Sequence, residues 1–263
     1  MKLGLSGKVA LVAAASRGLG KAVALELSRE GATVAICARH ADNIAAAAED
    51  IRGDTGGDVA GFAADVTDGA QVRKLVDDVH SRFGAIDILI PNAGGPAGGT
   101  ISDFKPDDYR AAVDLNLMST INLCYAVLPD MRTKHWGRIV AITSVSSRQP
   151  LDQLVLSNTA RAGVLGFIKS LSNHVAAEGI TANAVCPGYT KTERIKELAT
   201  MYAESGKGTV EDYYSRVEVD VPMKRMGTVE EFAAVVTFLA SERASYVTGV
   251  ALPIDGGWIK SLY

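Results

Sequence analysis

The sequence predicts an α/β protein, a single domain built on a doubly wound parallel sheet of about seven strands. Short apolar runs alternate with helix-period segments along the chain. Those runs are apolar at nearly every position, as strands covered on both faces are, rather than at every second one. No linker-like stretch and no internal repeat divides the 263 residues, so the whole chain reads as one unit. Right-handed crossovers then leave a doubly wound sheet as the leading arrangement.

The elements follow in order. Residues 9–14 read as a strand and 19–30 as a helix closed by Gly31; 33–38 is a strand and 41–52 an Ala-rich packing helix ended by Gly53. A strand at 59–63, a helix at 70–83 closed by Gly84, and a strand at 86–90 come next. Glycine just beyond a helix supplies the left-handed turn that ends it. Helices at 106–115 and 117–131 precede a strand at 138–143, a long helix at 155–178 and a strand at 181–185. Residues 190–218 break the rhythm. This polar stretch, with Tyr202, Tyr213 and Tyr214, reads as an inserted lid over a site. A helix at 229–239 and a strand at 251–254 complete the chain pattern.

Composition narrows the function classes. At 48% hydrophobic and 22% charged, the chain matches a soluble globular average. A net charge of −3 argues against a nucleic-acid partner. No apolar run approaches the length of a membrane span, and the short run at 9–15 passes into a helix holding Glu26 and Glu30, which argues against a signal peptide. Cys37, Cys124 and Cys186 lie far apart without metal spacing, and the four histidines show no ligand pairing. No metal is expected, and the thiols read as buried residues of a reducing, cytoplasmic compartment.

The first strand runs into Ala13-Ala14-Ala15-Ser16-Arg17-Gly18-Leu19-Gly20, which opens a helix. A small-residue loop in that place lets backbone N–H groups approach a pyrophosphate at a helix N-terminus. Further marks follow: Asp65-Val66 after the third strand, Pro91-Asn92-Ala93-Gly94 after the fourth, Asn116 within Leu-Asn-Leu, Ser144 at a strand end, Pro187-Gly188-Tyr189-Thr190-Lys191-Thr192, Val247-Thr248-Gly249 and Asp255-Gly256-Gly257.

On these residues the chain resembles the short-chain dehydrogenase/reductase family over nearly its whole length, and looks most like its 3-oxoacyl-carrier-protein reductases. The resemblance implies a Rossmann-type fold and a nicotinamide dinucleotide held by Ala14, Ser16, Arg17, Gly18, Leu19 and Gly20 of the loop. Asp65 and Val66 would meet the adenine, Asn92, Ala93 and Gly94 would line the cleft, and Pro187, Gly188, Thr190 and Thr192 would hold the carboxamide. Ala14 departs from the family's glycine, and Pro91 from its first asparagine. At the end of the second strand, where an acid would bind ribose hydroxyls and repel a 2′-phosphate, the chain has Arg39. With Arg17 nearby, an arginine fork suited to phosphate oxygens implies NADP(H) in preference to NAD(H).

The family's chemistry uses a Ser, a Tyr and a Lys four residues later, supported by a helix Asn. Ser144 and Asn116 match. The tyrosine is due thirteen positions after Ser144, where the chain has Ser157, and the lysine position is Arg161, which the resemblance also places at the cofactor ribose. A Ser hydroxyl is a far weaker acid than a phenol, and Arg stays protonated. Three readings remain: a reductase drawing its proton from Tyr189, a loop tyrosine or water; a non-catalytic NADP(H)-binding protein; or a variant mechanism built on Ser157 and Arg161. The oxidoreductase reading leads.

The family implies a small carbonyl or secondary-alcohol substrate. Docking of an acidic carrier protein needs a basic face, which Arg132, Lys134 and Arg138 offer, yet Glu178 stands where those reductases tend to be basic, so a carrier protein is doubtful. The family also implies a homotetramer, with the helices at 117–131 and 155–178 as the interface.

Overall fold

The structure, a computed structural model, describes residues 2–262. Seven parallel strands form one sheet: β1 (Val9–Ala13), β2 (Thr33–Ala38), β3 (Val59–Ala63), β4 (Ile88–Ile90), β5 (Gly137–Ile142), β6 (Ile180–Pro187) and β7 (Ala251–Ile254), in the order β3-β2-β1-β4-β5-β6-β7. The order reverses between β1 and β4, which opens a crevice beyond the carboxyl ends of those strands.

Helices cover both faces. On one lie α1 (Gly18–Arg29), α2 (Ala41–Thr55) and α9 (Val229–Leu239), whose Val23, Leu27, Ile44, Ile51, Phe232 and Val236 pack against Val12, Ile36 and Ile90. On the other lie α3 (Gly69–Phe83), α5 (Ser119–Lys134) and α6 (Val155–Val175), with Leu75, Leu123, Val127, Val164 and Ile168 against Leu11, Leu89 and Ile139. β1, β2, β4, β5 and β6 thus lose water on both faces, as their unbroken apolar runs predict, while the edge strands β3 and β7 stay partly exposed. All three cysteines are buried.

Four local readings change. The second helix passes through Gly53 and stops at Gly56, whose φ of +68° makes the terminating turn. The strand expected at 86–90 begins at Ile88, because Ile86 gives its N–H to the Asp130 carboxylate (2.8 Å). The two helices expected at 106–115 and 117–131 fuse. α4 (Pro106–Val113) continues through a π-helical turn, Asp114–Met118, into α5. The fused helix is long and apolar enough to cross a membrane by length and composition alone, but its apolar stripe of Leu123, Cys124, Val127, Leu128 and Met131 is buried in the core. The polar stretch at 190–218 contains two helices, α7 (Glu193–Glu204) and α8 (Val210–Val219). Both were readable from their caps: Thr192 caps α7, and Thr209 with Asp212 forms a reciprocal box on α8.

The three basic residues weighed for docking all have partners within the chain. Arg132 forks onto Glu178 at 2.7 and 3.3 Å, Lys134 pairs with Asp87 at 2.7 Å, and Arg138 is only 3% exposed, its guanidinium on the carbonyls of Ser241, Gly137 and Gly179. These residues sit at the amino end of β5, away from the crevice.

Candidate functional site

The crevice has two banks. The first is the β1–α1 loop. Ala14 has φ +48° and Gly18 φ +60°, so the chain turns through left-handed backbone twice within five residues. Glycine takes such a φ freely, whereas an alanine there costs about 1 kcal/mol or more. Gly20 needs its missing side chain. A Cβ there would lie 2.7 Å from the Ala14 carbonyl and 3.0 Å from Asn92 Nδ2. Asn92 Nδ2 in turn donates to the Ala14 carbonyl (3.4 Å), tying the loop after β4 to the glycine loop. Gly94 and Gly95 face open space where a Cβ would stand. This bare, pinned backbone at a helix N-terminus fits a dinucleotide pyrophosphate.

The remaining residues assigned to the cofactor sit around it. Arg39, at the end of β2, is exposed and makes no hydrogen bond or ion pair among the described residues. Arg17 is differently placed: its Nη1 donates to Glu197 Oε1 of α7 at 2.6 Å. The Asp65 carboxylate accepts from the N–H and hydroxyl of Thr67, so it closes its own turn, and Val66 is buried beside it. Thr190 is buried with its hydroxyl toward the Gly188 carbonyl, and Thr192 accepts from Ile195 N as the α7 cap.

The second bank is the end of β5 with α6. The chain leaves β5 through extended Ser144 into a single 3-10 turn, Val145–Ser147. Ser144 Oγ accepts from the N–H of Ser146 (3.1 Å), which leaves its own proton free to point elsewhere. Ser146 Oγ and Ser157 Oγ share a hydrogen bond of 3.0 Å, and both side chains are buried. Ser144 and Ser157, chosen from sequence, are therefore linked through Ser146, which sequence reasoning missed. The signal was present in the run Ser144-Val145-Ser146-Ser147, but only the 3-10 turn aims Ser146 at α6.

One turn further along α6, Arg161 is 7% exposed. Its Nη1 donates to the carbonyls of Thr143 (2.8 Å) and Ile142 (3.3 Å), and its Nη2 to that of Ala93 (3.4 Å). Burial pulls its pKa down to about 10, still well above neutrality, so it carries its charge into the floor of the crevice. Asn116 is 3% exposed on the π-helical turn. Its Nδ2 donates to the Ala112 carbonyl, and its Oδ1 has no partner among the described residues. The π-turn and the buried amide oxygen without a protein partner thus coincide at Asn116.

Tyr189 follows β6 and meets Trp258 edge-on, ring centroids 6.2 Å apart; burial raises its phenol pKa, so it holds its proton at neutral pH. A cleft of about 430 Å³ lies against the lid, lined by Lys191, Thr192, Ile195, Tyr214 and Met226 among others.

Residues 13–259 match the family model described as enoyl-(acyl carrier protein) reductase. The chain is a short-chain dehydrogenase/reductase. The family member's relatives agree over the full length. The 3-oxoacyl-(acyl-carrier-protein) reductase of Pseudomonas aeruginosa is 36% identical over 98% of this chain and 100% of its own, and that of Escherichia coli 35% over 97% and 98%. Among solved structures, the L-sorbose reductase of Gluconobacter frateurii, complexed with NADPH and L-sorbose, superposes with a TM-score of 0.96 at 33% identity, covering 100% of both chains. An actinorhodin polyketide ketoreductase with NADPH gives 0.91 at 30% identity, covering 99% of both. These matches place the chain in an oxidoreductase family with the fold expected.

Proposed function

We propose that the protein is an oxidoreductase that takes NADP(H) in preference to NAD(H) and interconverts a small carbonyl compound and its secondary alcohol, using an acid–base site in which Ser157 and Arg161 stand where the family has Tyr and Lys. The hydrogen-bonded series Ser144, Ser146 and Ser157 at the strand-end crevice carries this reading. NADPH in the sorbose reductase and ketoreductase complexes, with Arg39 free at the end of β2, supports the cofactor choice.

When bound, reduced nicotinamide supplies a hydride to the carbonyl carbon. Ser144 hydrogen-bonds to the carbonyl oxygen through its free O–H and polarises it, while the proton that completes the alcohol comes from water, leaving hydroxide to the bulk solvent. Ser146 fixes the Ser144 rotamer through its N–H, and Ser157 fixes Ser146. Arg161 holds the ends of β4 and β5 together and sets a positive charge beneath the developing alkoxide, where the low dielectric strengthens it. The pairing of Arg132 and Lys134 with carboxylates, and the burial of Arg138, favour a substrate free in solution over a carrier-bound one.

The carbonyl-bound guanidinium of Arg161 also favours a second reading, a non-catalytic NADP(H)-binding protein. A panel of ketones and alcohols assayed with both cofactors, beside a binding titration, separates them. The enzyme reading expects NADPH oxidation with at least one ketone; tight NADPH binding with no turnover contradicts it. For assembly the reading is a homotetramer through α5 and α6, supported by exposed Tyr125 and Met118 on the outer face. A monomer in sedimentation at micromolar concentration contradicts that.

A further inference from the structure

The lid is tied to the glycine loop by one ion pair. Arg17 stands between Ser16 and Gly18, and its Nη1 reaches Glu197 Oε1 of α7 at 2.6 Å, 180 residues away in the chain. The start of the lid also lies near the loop at Gly18, where an added Cβ would stand 4.0 Å from the Thr192 methyl. Glu197 also has a spare partner: Arg194 Nη1 lies 3.6 Å from its other oxygen. The Arg17 hydrogen bond, aided by Arg194, holds the Glu197 carboxyl below the usual range, so the pair is charged at neutral pH. Arg39, the other cation of this bank, is unengaged.

We propose that Glu197 is a specificity-determining residue for the cofactor. It holds Arg17 until the 2′-phosphate of NADP(H) takes that guanidinium, after which Arg194 keeps Glu197 paired. The proposal rests on the cofactor reading above. A phosphate offers a guanidinium two charge-assisted bonds, whereas the Arg17–Glu197 contact is single-point and half exposed, so the exchange favours the phosphate. A dinucleotide without the 2′-phosphate has nothing to trade for Glu197, and leaves α7 anchored to the loop. The contact therefore opposes NADP(H) slightly and gives the lid an anchor that only the phosphorylated cofactor removes.

The test is a set of NADPH and NADH titrations at low salt on the full chain, with Glu197→Gln in the native and Arg17→Gln backgrounds. In the native background NADPH affinity rises about two- to fivefold, the worth of an exposed pair, and NADH affinity stays unchanged. In the Arg17→Gln background Glu197→Gln changes neither. Without cofactor, the amides of α7 exchange hydrogen faster in Glu197→Gln than in the native protein. Equal tightening for both cofactors, or the same tightening without Arg17, marks a general field effect and overturns the proposal. So does NADPH binding that is unchanged or weaker. A native protein that binds neither dinucleotide overturns the cofactor reading itself. A clear NADPH preference that is indifferent to Glu197→Gln overturns only the exchange.

Discussion

The two banks of the crevice solve opposite problems. The β1–α1 loop must stay bare: Gly20 has no room for a Cβ, and Gly18 and Ala14 take left-handed backbone. The β5–α6 bank is crowded: Ser146, Ser157 and Arg161 are all less than 8% exposed and are bonded to one another's surroundings. A bare loop can lose one glycine, as at Ala14, and pay in strain. A crowded bank changes by exchanging a set of partners together. The loop thus carries its strain at one residue, Ala14, whereas the crowded bank holds its residues through shared partners.

The largest effect that breaks this comparison lies at Ser144. Ser144→Ala removes the donor to the substrate oxygen, and kcat is expected to fall about 10²–10³-fold with the NADPH dissociation constant nearly unchanged. Turnover that survives the change removes Ser144 from the chemistry and with it the division of labour between the banks. Next, Arg161→Met strands the carbonyls of Ala93, Ile142 and Thr143. Urea unfolding should show a loss of about 2–4 kcal/mol, since an unsatisfied buried acceptor costs about 1–3. A change below about 0.5 kcal/mol, the range of a plain surface substitution, means those carbonyls find other donors.

On the loop bank the effects are smaller. Arg39→Asp sets a like charge against a 2′-phosphate, and the ratio of NADPH to NADH dissociation constants should rise about tenfold. Equal shifts for both cofactors show that Arg39 does not discriminate. Ala14→Gly relieves the +48° φ, and part of that gain is lost to the freer unfolded chain. Stability should rise by up to about 1 kcal/mol, with NADPH bound equally or more tightly. Clearly weaker binding means the alanine methyl shapes the loop.

The bare bank was legible in the sequence because its constraints are local. A strand, a small-residue turn and a helix start within twelve residues of one another, and Ala14 stood out as the residue in the family's glycine place. The sheet was legible for the same reason, through unbroken apolar runs. The crowded bank was not, because its partners are distant in the chain. Arg161 was read as a cation for the cofactor ribose, but its guanidinium ends on carbonyls 18, 19 and 68 residues away. Arg17 was read as a cation for the cofactor phosphate, and its partner Glu197 lies in the lid, 180 residues away. Ser146 differs from Ser147 only through the 3-10 turn, and the π-turn at Asn116 has no composition mark.

The central claim is that the serine–arginine bank is a working arrangement and not a damaged one. It is tested most directly by the double substitution Ser157→Tyr with Arg161→Lys, assayed for NADPH-dependent ketone reduction beside the native protein. Ser157 is 6% exposed and 3.0 Å from Ser146, so a phenol displaces the group that orients Ser144, and a lysine does not reproduce the fork on the Ile142, Thr143 and Ala93 carbonyls. The native protein is expected to turn over, and the double variant to lose activity and stability. A silent native protein whose double variant gains ketone reduction, by the roughly 10²–10⁴-fold that a positioned acid supplies, would contradict it.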